Sequence, residues 1–184
     1  MAKFATTVPF LFVATAAAAD CPPAPDIADA TEAIYARLGD APGPGAAGLI
    51  SAELWTHWTR APDERAQELL DEGMARRSAR DFRGARIAFD ALTDYCPGYA
   101  EGWNQRAFVA FLTEDHPAAL GDLDRALALN PRHAAALSGR GLTLIALGRI
   151  AEGQDDIRAA LEMNPWLSER RLLRLNPLDG EVDL

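Results

Sequence analysis

From residue 66 onward the chain resembles itself at an offset of 34 residues, and no other feature restricts its fold as strongly. Pro97, Pro131 and Pro165 stand at that spacing, as do Gly73, Ala107 and Gly141, then Ala85, Ala119 and Gly153. Phe89, Leu123 and Ile157 repeat in the same register, and so do Leu69, Trp103 and Leu137. Such a period has room for two antiparallel helices and a turn. A small residue in the middle of the first helix and another near the start of the second let the two backbones approach. Large residues fill the space beside that contact, and each proline ends the second helix and turns the chain into the next unit. The expected units are 66–99, 100–133 and 134–167, and the expected fold class is all-α.

The repeated positions resemble the tetratricopeptide repeat family, whose pattern is W-x-x-L-G-x-x-Y, then A-x-x-x-F, then P, in 34 residues. The resemblance implies three tandem helix-turn-helix units forming a short right-handed superhelix. Two positions depart from the family pattern. The leucine before the first small residue is replaced by Glu72, Arg106 and Arg140, and the aromatic three residues after it by Arg76, Ala110 and Leu144. AEGWNQRA at 100–107 is further similar to small exported repeat proteins of Gram-negative bacteria.

A stack of such units leaves an apolar face at each end and needs caps. Before the repeats, Lys3 and the uncharged run Phe4 to Ala19 read as a signal peptide over 1–19, cleaved after Ala19 and too short to anchor in a membrane. Asp20 in front of Cys21 argues against a lipoprotein junction. Residues 20–65 read as a proline-rich tether and two flanking helices. The first carries Ile27, Ala30, Ile34 and Leu38, and the second carries Ile50, Leu54, Trp55 and Trp58; the stretch 39–48 between them is expected to be an irregular linker. The Trp55 helix is expected to close unit one. Residues 168–184 are expected to give a capping helix, packed through Trp166, Leu172, Leu173 and Leu175, and then an acidic tail.

Charge and residue usage remove most other functions. A net charge of -9 gives no general attraction to phosphate backbones or anionic lipid, so neither nucleic acid nor, once the leader is cleaved, membrane insertion is expected. The single lysine is Lys3, which leaves a mature chain without the lysine that phosphate loops and Schiff bases require. GPGAAG at 43–48 matches a dinucleotide fingerprint in letters only, because no strand precedes it. His57, His116 and His133 fall on different elements without metal-ligand spacing, and no serine lies in a nucleophile elbow. No enzyme activity, metal or cofactor is expected. Arg76, Arg77, Arg80, Arg83 and Arg86 crowd one corner of unit one, where Asp71 and Asp81 favour a solvated, self-paired face over a site for an acidic partner.

The expectation is therefore a periplasmic scaffold or assembly factor that binds another polypeptide in its concave groove. By the resemblance, first helices line that groove. The stripe that faces it is Leu70, Met74 and Arg77, then Asn104, Phe108 and Phe111, then Ser138, Leu142 and Ile145; all of these but Arg77 are candidate contacts, with Glu101 and Asn104 as polar rim. The family's clamp for a terminal carboxylate needs lysine and asparagine where this chain has Leu70 and Met74. The alternative is a structural or self-associating repeat whose groove is filled by its own flanking helices. Cys21 and Cys96, the two cysteines, are expected either to pair in an oxidising compartment or to stay free, with Cys96 buried as a small hydrophobe.

Overall fold

The computed structural model describes residues 20–174. The expected leader over 1–19, Leu175 and the expected acidic tail lie outside the described residues. Among the described residues, eight α-helices and a final 3-10 segment follow one another: α1 (Ala28–Gly39), α2 (Pro44–Trp58), α3 (Glu64–Ser78), α4 (Phe82–Tyr95), α5 (Ala100–Leu112), α6 (His116–Leu129), α7 (Ala134–Ala146), α8 (Ile150–Met163) and Ser168–Arg174. Helices α3 to α8 form three antiparallel pairs, stacked in chain order, in a tandem helical-repeat fold.

The turns inside the pairs repeat as strictly as the helices. Arg80, Glu114 and Gly148 have φ of 61°, 62° and 78°, the left-handed conformation that ends a helix, and only the third turn has glycine there. In each turn the next residue's N–H reaches back to a carbonyl, Asp81 to Arg76, Asp115 to Ala110 and Arg149 to Leu144, at 2.9, 2.9 and 2.8 Å. Asp81 and Asp115 then accept from Gly84 and Ala118 with their side chains and start α4 and α6. Helix packing follows the small residues. In the third pair the contact is glycine on glycine, since a Cβ on Gly153 would stand 2.5 Å from the Gly141 carbonyl oxygen. Phe89, Leu123 and Ile157 are buried in successive pairs.

Three expectations about the flanks are corrected. The stretch 39–48 is not wholly irregular: α2 begins at Pro44, where a proline in the first turn loses no helical hydrogen bond, and runs through Gly45 and Gly48. The Trp55 helix does not close unit one. Instead Ile34, Tyr35, Leu38, Ala47, Leu54 and Trp58 form one cluster with Ala134 and Met163 of the third pair. The first pair needs no lid, because α3 turns Glu64, Arg65, Glu68, Asp71, Glu72 and Arg76 to solvent. The C-terminal cap is a 3-10 segment, in which Leu172 packs on Ile145 and Ile157 and its carbonyl accepts from Gln154 at 2.9 Å.

Polar ties hold the N-terminal pair across the stack. Tyr35 Oη donates to the Arg132 carbonyl at 2.6 Å, Tyr99 Oη to the Trp58 carbonyl at 2.6 Å, and Trp166 Nε1 to the Leu38 carbonyl at 2.9 Å. Burial pushes the Tyr35 phenol up to about 12 and raises Tyr99 further, so both remain donors. Cys21 and Cys96 are joined, with Cα atoms 5.2 Å apart, fixing the tether where α4 ends.

Candidate functional site

Because α2 crosses the inner face of the stack without filling it, a pocket of about 550 Å³ remains beside it. One wall is α2, with Ala47, Ser51, Leu54, Trp55 and Trp58; the other is α5 and α7, with Asn104, Phe108, Phe111, Ser138 and Leu142. Trp166 to Glu169 close one end. Phe108 is 46% exposed and Trp55 42%, so two large aromatic faces remain open to solvent at the pocket. The size falls in the range of sites that bury a ligand or a short run of side chains.

The structure brings together five of the nine residues that the sequence nominates: Asn104, Phe108, Phe111, Ser138 and Leu142. It removes others. Leu70 is fully buried against Phe89 and Ala85, and Ile145 is buried against Ile157 and Leu172, because each points to its own pair's second helix. Met74 is half-buried against the core of the first pair. Glu101 is no rim residue. Only 1% exposed, it accepts from His133 Nε2 at 2.8 Å, from Asn104 at 3.1 Å and from Gln105. The other ring nitrogen of His133, Nδ1, accepts from the Ala136 N–H and so caps α7, which leaves Nε2 to carry the hydrogen toward Glu101.

The buried network has consequences at the pocket. Arg77 donates to Gln105 and stands with its guanidinium carbon 4.9 Å from the centre of the Phe108 ring. Partial burial lowers its pKa, against the opposing pull of Glu101. Trp58 Nε1 is a buried donor with no hydrogen-bond partner among the described residues. A second pocket of about 470 Å³ lies under the tether, lined by Asp26, Glu32, His57, Arg60, Glu101, Arg132 and His133 among others. No group of three or more histidine, cysteine, aspartate or glutamate side chains able to hold a metal occurs among the described residues.

Sequence reasoning missed the reason for the family departures at 106 and 140. Arg106 grips Asp122 with two bonds at 2.8 and 2.6 Å and reaches Asp90 at 3.2 Å; Arg140 grips Asp156 at 2.7 and 2.8 Å and reaches Asp124 at 3.0 Å. These carboxylates raise both arginine pKa values. The three positions recur at the repeat period, so each arginine ties its own pair to the one before. The recurrence of Asp90, Asp122, Asp124 and Asp156 was the available signal.

No family model matches the chain. By sequence it is similar to the tetratricopeptide repeat protein 36 homolog of Nematostella vectensis, 36% identical over 100 residues, covering 54% of this chain and 53% of that one. It is also similar to a TPR repeat-containing protein of Rhizobium etli, 27% identical over 117 residues, covering 60% and 54%. The chain thus spans about half the length of these curated relatives. Among solved structures, the first TPR of Spaghetti (RPAP3) bound to an HSP90 peptide aligns with a TM-score of 0.58 and 24% identity, over 60% of this chain and 92% of that one. The TPR2B domain of yeast Sti1 in complex with an Hsp70 peptide gives 0.56 and 23%, over 61% and 93%. These likenesses show the fold: a tandem of helix pairs like that of tetratricopeptide repeat domains.

Proposed function

We propose that this chain is a non-enzymatic interaction module of the bacterial periplasm that binds a polypeptide segment in the pocket between α2 and the inner helices α5 and α7. The observation that carries the reading is the half-exposed Phe108, set beside Phe111, Leu142 and Trp55 around an open volume of about 550 Å³. Aromatic anchors of this kind supply most of the binding energy in groove recognition. The peptide-bound structures with the same fold support a polypeptide occupant. The flanking helices narrow the groove, and the aromatic faces they leave open favour an external occupant over self-filling. Export through a leader over 1–19 accords with the Cys21–Cys96 bond, which persists in oxidising compartments. Capture from an envelope extract, with mass spectrometry of what is retained, tests the reading. Phe108→Ala should abolish capture while costing less than about 1 kcal/mol of stability, since nearly half of its surface is already in water. Recovery of self-copies alone, or a loss of about 3 kcal/mol as for a core phenylalanine, would overturn it.

A further inference from the structure

We infer that the bound segment carries an acidic side chain beside its apolar anchors, and that Arg77 is the residue that receives it. This rests on the groove reading above and specifies its partner. None of the ion pairs among the described residues includes Arg77, whereas Arg76, one position earlier, is held by Glu72 and Asp81 on the outer surface. Arg77 lies instead on the inner side, half-buried, its guanidinium over the Phe108 ring that forms part of the pocket wall. Of its five donors, one is directed to Gln105, itself a lining residue. The carboxylate whose charge pulls on Arg77 is Glu101, and its oxygens are already occupied by His133, Asn104 and Gln105. A cation in this position, partly stripped of water and short of a carboxylate, attracts one more strongly than a fully hydrated surface arginine does. The planar guanidinium also suits a carboxylate with two parallel bonds. The pocket at its side is apolar, so the matching ligand is an amphipathic segment with an aspartate or glutamate next to leucine-like anchors.

The test uses the whole chain and three synthetic amphipathic helices, each acetylated and amidated so that no terminal charge is offered. They share leucines at i, i+3, i+4 and i+7 and differ in carrying glutamate, glutamine or lysine next to them. Titration followed by tryptophan fluorescence should show the glutamate peptide binding about tenfold tighter than the glutamine peptide, with a preference that shrinks as salt rises. The lysine peptide should bind weakest. Arg77→Gln should erase the preference of the glutamate peptide over the glutamine peptide, and Arg77→Lys should restore most of it. Equal binding of the glutamate and glutamine peptides, or a preference that survives Arg77→Gln, would overturn the assignment to Arg77 and leave the groove reading standing. Failure of all three peptides to bind would overturn both.

Discussion

The indole of Trp58 lies face to face with the imidazole of His133, the ring centres 4.3 Å apart and the planes inclined by 19°. That contact joins the end of α2 to the start of α7, across a sequence distance that neither helix pair spans alone. Behind it, His133 is held by Glu101 on one nitrogen and by the first turn of α7 on the other. Trp58 is 5% exposed, so its truncation removes a fully packed aromatic surface. Trp58→Ala should cost about 3–5 kcal/mol in chemical denaturation. Hydrogen exchange should accelerate first in α1 and α2, because the stacked pairs keep their own cores. Uniform acceleration over all eight helices would refute an independent role for this contact.

Arg106 and Asp122 bind each other with two bonds and are both largely withdrawn from water, with side-chain exposures of 17% and 10%. Removing one partner of such a pair leaves the other charge poorly solvated. Asp122→Ala should therefore destabilise the chain by about 3 kcal/mol, while the double variant Arg106→Leu, Asp122→Ala should recover much of that loss. Leucine is the residue the family pattern places at 106, which makes it the fitting replacement. Strict additivity in a double-mutant cycle would show that the pair is not coupled.

The Cys21–Cys96 bond closes a loop of 75 residues that contains α1, α2, α3 and the whole of α4. Chain entropy assigns such a loop at most about 4.5 kcal/mol of stabilisation. Reduction, or Cys21→Ala, should lower the urea midpoint accordingly and free the tether over residues 20–27 to proteolysis. An unchanged midpoint under reducing conditions would overturn the expectation.

How far the sequence could be read follows from which interactions are periodic. The stacked helices were legible because close packing of Gly141 on Gly153 and burial of Phe89, Leu123 and Ile157 place the same demand on every unit. The turns carried no such signal, since Arg80 and Glu114 adopt the left-handed conformation that composition assigns to glycine. The groove stripe was only partly legible. Spacing puts Leu70 and Ile145 on the same line as Phe108 and Leu142, but the direction of a side chain depends on how neighbouring pairs rotate, which the period does not encode. Glu101 and His133 were invisible as a pair, because a non-local hydrogen bond between different helices leaves no pattern in one sequence. The path of α2 departs from the sequence expectation for a related reason: α3 supplies a charged outer face, so the apolar stripe of Ile50, Leu54 and Trp58 finds its partner at Ala134 and Met163 instead.

Asp63 caps α3, accepting from the Ala66 N–H at 2.8 Å on one oxygen and from Tyr95 Oη at 2.7 Å on the other. The backbone N–H, then the tyrosine hydroxyl, hold its carboxyl below the ordinary range, and the same carboxylate raises the Tyr95 phenol. Asp81, at the start of α4, is lowered first by the Gly84 N–H and then by Arg76. A carboxyl whose pKa is lower in the folded chain than in the unfolded one adds stability that is fully present above the unfolded value, and that stability is lost as pH falls through the folded value. The first repeat pair should therefore weaken progressively as the solution is acidified below about pH 5, where an unfolded carboxylate begins to take up its proton. Asp63→Asn keeps an oxygen acceptor for the cap but removes the titrating group. Its urea midpoint should vary less with pH than that of the unmodified chain, and the two curves should converge at the acid end. Parallel curves from neutral pH down to about pH 3 would show that Asp63 takes up its proton alike in the folded and unfolded chains, contrary to the hydrogen bonds it receives.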